Sequence, residues 1–270
     1  MRLVIPAVLA IAGVLSGADG SFAGANDNIP LWEPGTVPLA RGNGPLDNPF
    51  LTIFLPPEGS RNGGSVVVAP GGGNIMMMYG AEGLDIAERY NDWGVTAFVL
   101  TYRLQPYGEK ARVLDARRAI QLVRSRAAEF KLDPNKLGFI GFSAGSGLGR
   151  ALGDAAGPGD PGATDPIDRQ SSRPDYLGLI YGPGRAAPGE NLGNFPSTFL
   201  MCAAGDRQNA IGTAGLFADL TRDGVVAEIH IYQQGHHGFG DGYASGTFSD
   251  WMPRLEHFLK QGGFIPGGRE

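Results

Sequence analysis

The chain has one cysteine, Cys202, among its 270 residues. A disulfide within the chain is therefore excluded. Cys202 lies inside an apolar run, where a small buried thiol is the expected role. Charge is sparse as well: Asp, Glu, Lys and Arg make up 18% of residues, and the formal net charge is −5. No stripe of lysine and arginine is visible, which argues against a nucleic-acid footprint. Long apolar runs are lacking. The stretch Leu3 to Leu15 is too short for a comfortable membrane span, so no stable membrane insertion is expected. Hydrophobic residues at 42% are ordinary for a soluble globular protein and argue against disorder. The length suits one large α/β domain, and neither an internal repeat nor a second domain is visible. Glycine is what the chain has in quantity, with 44 residues.

Arg2, the apolar run Leu3 to Leu15 and the small-residue pattern Ala23-Gly24-Ala25 have the layout of a secretory signal peptide. The expectation is a signal peptide over residues 1–25 and a folded domain over residues 26–270. Cleavage after Ala18 and an uncleaved anchor are the alternatives. An exported chain of this kind is secreted or periplasmic.

The rest of the chain is organised around Leu137 to Ser146. Its first half is an apolar run that reads as a buried parallel strand. Its second half is G-x-S-x-G, Gly141-Phe142-Ser143-Ala144-Gly145. A serine in that frame sits on a sharp strand-to-helix turn with its hydroxyl lifted above the sheet edge. Upstream, Ser65 to Ala69 is a β-branched run that reads as a central parallel strand, buried on both faces. It leads into Pro70-Gly71-Gly72-Gly73-Asn74. Backbone N–H groups of such a turn can point into a crevice with no side chains in the way, ready for negative charge that develops in a transition state. Ile75 to Tyr79 follows, and its methionines could shape an acyl pocket or pack in the core.

Elsewhere strand and helix patterns alternate. Asn26 to Pro49 reads as an extended surface arm and Phe50 to Leu55 as an outer strand. Glu82 to Trp93 and Leu114 to Phe130 read as helices, with Val95 to Tyr102 a strand between them. Arg117, Arg118, Arg124 and Arg126 read as a solvated helix face. Gly157 to Arg173 reads as a surface loop. Tyr176 to Tyr181, Thr198 to Ala203 and Val225 to Ile231 read as strands, and Gly212 to Arg222 and Phe248 to Lys260 as the helices after the last two. The predicted fold is α/β: a single-domain, doubly wound, mostly parallel sheet with helices on both faces and ligands at the carboxyl ends of strands.

Two such strand ends carry Gly205-Asp206-Arg207 and Gly235-His236-His237-Gly238. An acid and then a histidine thus follow the serine, in the chain order of α/β-hydrolases. A serine hydroxyl is a poor nucleophile until a base takes its proton, imidazole has a suitable pKa, and a carboxylate fixes the imidazole tautomer. His230 and His257 read as structural.

The chain resembles the acetyl xylan esterase group of α/β-hydrolases, related to the hormone-sensitive-lipase type. The likeness rests on Pro70 to Gly73, Glu82-Gly83, Thr96 to Leu104 and Asp115 to Ile120. It continues through Gly141 to Gly145, Asp165 to Asp175 and His237 to Gly240, so it covers about residues 45 to 262. It implies an α/β-hydrolase fold with Ser143 as nucleophile, Asp206 as acid and His237 as base. Gly72, Gly73 and Ala144 would form the oxyanion hole. No metal and no organic cofactor is implied.

Three positions depart from the family pattern: Asn74 in place of an aromatic residue, Gln208 to Gly212 in place of an apolar, proline-containing stretch, and His236 in place of glycine. His236 therefore stands as the alternative base. The expected substrate is a small-molecule or polysaccharide ester, first of all acetylated xylan or its oligosaccharides. A general carboxylesterase or feruloyl esterase is the alternative, and a non-catalytic protein of the same fold is the reading from another class. The oligomeric state is not legible in the sequence.

Overall fold

Short apolar runs bounded by glycine and proline become strands here, and they join in one sheet. The strands are β1 (Asn28–Pro30), β2 (Phe50–Phe54), β3 (Ser65–Ala69), β4 (Thr96–Thr101), β5 (Leu137–Phe142), β6 (Tyr176–Ile180), β7 (Ser197–Ala203) and β8 (Ala227–Tyr232). Their spatial order is β1-β2-β4-β3-β5-β6-β7-β8. β1 and β2 run antiparallel to their neighbours, and the pairs from β4 through β8 are parallel. The structure, a computed structural model, describes residues 28–242 and 250–267. The expected signal peptide over residues 1–25 lies outside them.

Among the described residues six α-helices flank the strands: α1 (Asp85–Asp92), α2 (Glu109–Ser125), α3 (Ala127–Phe130), α4 (Ala144–Ala155), α5 (Arg207–Arg222) and α6 (Trp251–Gln261). A turn of π-helix at Gly80–Leu84 leads into α1. Side-chain alternation along the strands divides the core into two layers. Val67, Phe98 and Phe139 pack against Ile120 of α2, Leu148 and Leu152 of α4 and Leu216 of α5. Val66, Val68, Ile140 and Phe199 pack against Ile86 and Tyr90 of α1 and Trp251 and Leu255 of α6. This is the doubly wound, mostly parallel sheet predicted from the alternating pattern, with helices on both faces.

Some boundaries differ from the sequence reading, each for a local reason. The arm expected over residues 26–49 opens with β1, a short edge strand registered with Asn28 opposite Thr52. The helix expected from Leu114 starts at Glu109, because its first turn is polar and carries no apolar period, and Arg126 separates α2 from α3. The helix expected from Gly212 starts at Arg207. Gly212 lies inside it, where a low-propensity residue mimics a boundary. The helix expected from Phe248 is described from Trp251.

The arginines of α2 do not form a solvated face. Arg118 has a side chain 6% exposed and ion pairs to Asp165 and Asp168 at 2.5 and 2.7 Å; its Nε donates to the Leu31 carbonyl at 2.8 Å. Arg124 donates to the carbonyls of Pro134 and Ser171 and pairs with Asp175 at 3.1 Å. Arg117 reaches Ser172 Oγ at 3.3 Å. Only tertiary contact reveals this, since a charged helix face looks the same in sequence whether water or an acidic loop covers it. Arg103, just after β4, is likewise buried and pairs with buried Asp115 at 2.6 Å. Its Nη1 donates to the Pro38 carbonyl at 2.5 Å. These contacts fasten the N-terminal arm and the loop over residues 157–173 onto one helix.

Sheet register sets the stage for the site. Ala69 lies opposite Gly141, Phe142 opposite Ile180, Ile180 opposite Met201 and Ala203 opposite Tyr232. The carboxyl ends of β3, β5, β6, β7 and β8 therefore finish on one edge. Residues 70–74, 143, 181, 206 and 237 follow those ends.

Candidate active site

Ser143 follows β5 directly and precedes α4. Its backbone is left-handed, with φ 51° and ψ −115°, a conformation that is costly for a residue with a side chain. Two backbone hydrogen bonds hold it there: its N–H donates to the Ile180 carbonyl at 2.9 Å, and Gly147 N–H donates to its carbonyl at 3.0 Å. The turn also needs space. A β-carbon on Gly145 would lie 2.0 Å from the Ala69 carbonyl oxygen, so only glycine lets α4 start this close to β3.

The loop after β3 is coiled tightly. Gly72, Gly73 and Asn74 have φ values of 124°, 64° and 62°. Asparagine is one of the few residues with a side chain that visits this region readily, which gives a backbone reason for Asn74. Its carbonyl accepts from Gln105 N–H at 2.8 Å. Gly73 and Ala144 line the same cleft as Ser143, whereas Gly72 is not among the lining residues. Among the described residues no backbone carbonyl outside a helix or strand accepts from the N–H of Gly72 or Gly73. Ala144 is the first residue of α4, where N–H groups have no partner in the helix and the dipole favours negative charge.

Three side chains from three segments, Ser143, His237 and Asp206, form one line of contacts. His237 Nε2 lies 2.7 Å from Ser143 Oγ. His237 Nδ1 lies 2.5 Å from Asp206 Oδ2. The His237 side chain is 43% exposed and that of Asp206 13%, so the ring faces the cleft while the carboxylate sits behind it. His236 is exposed, and its ring lies beside Gly205. Tyr181 packs its ring against His237 with centroids 5.0 Å apart and against Phe239 at 4.5 Å.

Sequence reading missed two groups here. Asn209, in the first turn of α5, donates from Nδ2 to both oxygens of Asp206 at 3.0 and 2.9 Å. It stands in the stretch that departs from the family pattern. Tyr181, with φ 40°, donates its hydroxyl to Glu82 Oε1 at 2.8 Å. Glu82 Oε2 accepts from Gly71 N–H at 2.7 Å, and Gly240 N–H donates to the Tyr181 hydroxyl at 3.2 Å. Burial, and then the Glu82 carboxylate, push the Tyr181 phenol well above its ordinary pKa. A glutamate followed by glycine in the middle of an apolar period was the available signal.

The cleft has a volume of about 350 Å³. Its walls are Glu109 and Arg112 of α2, Gly147 and Leu148 of α4, Tyr181-Gly182, and Asn209. Met76 to Met78 are not among them. Met77 packs on the core, and Met76 and Met78 are 59% and 45% exposed. Tyr232, at the end of β8, bonds Asp250 at 2.8 Å, away from the cleft. His230 bonds Glu228 at 2.6 Å and stacks on Phe199. His257 lines a separate shallow groove beside Asp250 and Arg254. Among the described residues no cluster of three or more His, Cys, Asp or Glu side chains could hold a metal ion.

The mostly parallel sheet, eight-stranded among the described residues, with a strained serine at a central strand end defines the α/β-hydrolase class. A family model described as BD-FAE matches residues 51–157, from β2 through α4. A solved structure, the acetyl ester-xyloside bifunctional hydrolase from Caldicellulosiruptor lactoaceticus, is 32% identical with a TM-score of 0.82, covering 89% of this chain and 97% of that one. The acetylxylan esterase of Xylanibacter ruminicola is 27% identical over 242 residues, covering 82% of this chain and 49% of that protein. Endo-1,4-beta-xylanase B of Butyrivibrio fibrisolvens is 26% identical over 225 residues, covering 68% of this chain and 35% of that protein. The chain thus spans half or less of the length of these two curated relatives. It belongs to the α/β-hydrolases, in the acetyl xylan esterase-like group.

The Glu82 tie generates a stability prediction. Glu82→Gln replaces one acceptor oxygen by an NH2 group. Whichever way the amide turns, a buried donor, either Gly71 N–H or the Tyr181 hydroxyl, loses its acceptor. A buried unsatisfied donor costs about 1–3 kcal/mol. Urea denaturation at 25 °C should show a loss in that range; a loss under about 0.5 kcal/mol would show that the tie contributes little.

Proposed function

We propose that this chain hydrolyses short-chain acyl esters, foremost the acetyl groups of xylan or xylo-oligosaccharides, through Ser143, His237 and Asp206. The observation that carries the reading is the chain of contacts from Ser143 Oγ to His237 Nε2 at 2.7 Å and from His237 Nδ1 to Asp206 at 2.5 Å. His237 takes the Ser143 proton on Nε2 as Oγ attacks the ester carbonyl. Gly73 and Ala144 N–H groups, with Gly72 beside them, stabilise the oxyanion. The tetrahedral intermediate collapses, and the alcohol leaves with the proton from His237. A water then gives its proton to His237 and attacks the acyl-Ser143 carbonyl. The carboxylic acid is released and Ser143 recovers its proton. Asp206 holds the imidazole tautomer and stabilises the imidazolium throughout.

The polar cleft wall of Asn74, Glu109 and Arg112 favours a hydroxyl-rich alcohol over an apolar one. The likeness to the Xylanibacter acetylxylan esterase and the Caldicellulosiruptor acetyl ester-xyloside hydrolase supports an acetylated xylose polymer or oligomer. Export through residues 1–25 completes the reading. A mature N-terminus at Asn26 on protein recovered from outside the cytoplasm is the expected finding, and an intact Met1 there refutes it.

Ser143→Ala and His237→Ala should each lower turnover by about 10⁴-fold or more, and the double variant should be no worse than either, because members of one unit do not add. His236→Ala should change turnover by about tenfold at most. An inactive His236→Ala beside an active His237→Ala would move the base by one residue.

The substrate reading is checked with 4-nitrophenyl esters of rising acyl length, acetylated xylo-oligosaccharides and a feruloyl ester. Acetate should be the best acyl group and acetylated xylo-oligosaccharides should be deacetylated. Faster cleavage of the feruloyl ester would overturn it.

A further inference from the structure

We infer that Asn209 is a positioning residue that keeps the Asp206 carboxylate turned toward His237 and away from the helix it precedes. The inference rests on the reading of Asp206 as the acid of the site.

Asp206 occupies the N-cap position of α5. An aspartate there ordinarily turns its carboxylate onto the free N–H groups of the helix's first turn, an interaction that stabilises typical helices by about 1 kcal/mol. Here the carboxylate makes no such bond. Only the backbone carbonyl of Asp206 serves the helix, accepting from Ala210 N–H at 2.8 Å. The oxygens are engaged from elsewhere: Asn209 Nδ2 lies 3.0 Å from Oδ1 and 2.9 Å from Oδ2, and His237 Nδ1 lies 2.5 Å from Oδ2.

Asn209 is the third residue of α5, the position whose side chain can reach back to the N-cap residue. Its amide orientation follows from chemistry. An amide oxygen facing both carboxylate oxygens would meet only lone pairs, so the NH2 group must face them. Nδ2 also lies 3.2 Å from His237 Nδ1. With Nδ1 donating to Asp206, both nitrogens are donors, and this contact is proximity around a shared acceptor. Asn209 therefore supplies the donor that the helix terminus would otherwise supply, from the direction that leaves Oδ2 open to His237.

The groups facing His237 are Ser143 at the start of α4, Asp206 and Asn209 at the start of α5, and Tyr181 after β6 with Glu82 behind it. His236 is its chain neighbour, and Glu109 and Arg112 stand across the cleft. Buried Cys202 of β7 lies near Asp206; burial, then that carboxylate, push its thiol up to about 11, so it stays protonated at neutral pH. Of these groups, Asn209 is the one that donates to both oxygens of Asp206.

The test is steady-state kinetics on 4-nitrophenyl acetate for Asn209→Ala and Asn209→Asp, with and without Asp206→Ala. Asn209→Ala should lower kcat by about tenfold and change KM by less than about threefold, because its main effect is on the base, and the other cleft walls stay in place although Asn209 borders the cleft. The acid limb of the kcat/KM profile should move to lower pH, since a histidine that loses its carboxylate partner is easier to deprotonate. Asn209→Asp keeps the shape and replaces the donor by an acceptor, so it should fall at least as far. On the Asp206→Ala background, Asn209→Ala should cost nothing further. Unchanged kcat in Asn209→Ala, an unmoved acid limb, or an additive loss in the double variant would each overturn the inference. Full activity in Asp206→Ala alone would instead overturn the assignment of the acid.

Discussion

A buried carboxylate ties this site together. Glu82 is 3% exposed and forms no ion pair among the described residues. A charge in that position is tolerable only if hydrogen bonds replace the water it has lost. Two donors do so, Gly71 N–H at 2.7 Å and the Tyr181 hydroxyl at 2.8 Å, and Gly240 N–H completes the tyrosine. The loop after β3, the residue after β6 and the turn after β8 are thereby joined at one point. These are the segments that bear Gly73, the ring against His237, and His237 itself. Tyr181 is held at φ 40° and Ser143 at φ 51°, neighbouring strained residues that persist because the surrounding contacts over-determine them.

Around this tie the molecule is fastened by arginines. Arg103, Arg118 and Arg124 each satisfy several acceptors, at least one of them in a loop or the N-terminal arm. A planar fork with five N–H donors suits this work better than lysine, because carbonyls and carboxylates from different segments can be met at once. Arg150 is used in the same way on the other side of the cleft: it reaches Glu190 at 2.6 Å, bonds Asp154, and stacks on Phe195. The loop between β6 and β7 is thus held to α4. Loops that would otherwise cross the surface loosely are pinned where they border the site.

Much of the site was legible because its chemistry imposes local rules. Ser143 announces itself through flanking glycines that the turn cannot do without, and the triple glycine after a β-branched strand marks a loop with bare N–H groups. The arginines of α2 were misread for a reason that no period reveals. Arg118 lies in α2 and Arg126 caps its end, yet an acidic loop covers the first and leaves the second one-third exposed. Asn209 was read only as a departure from pattern, since an asparagine three residues after an aspartate is common at any helix start.

Local sequence determined the alternation of strand and helix, the strained serine turn and the chain order of serine, acid and histidine. Each depends on steric or hydrophobic periods that span a few residues. Tertiary structure alone decided which of two adjacent histidines meets Ser143, how Asn209 and Asp206 share a helix start, and why Glu82 is buried. Those outcomes depend on the register of five parallel strands, whose ends must finish level before residues tens of positions apart can touch. A register is a property of the whole sheet, fixed by both core layers together, and no single stretch of the chain carries it.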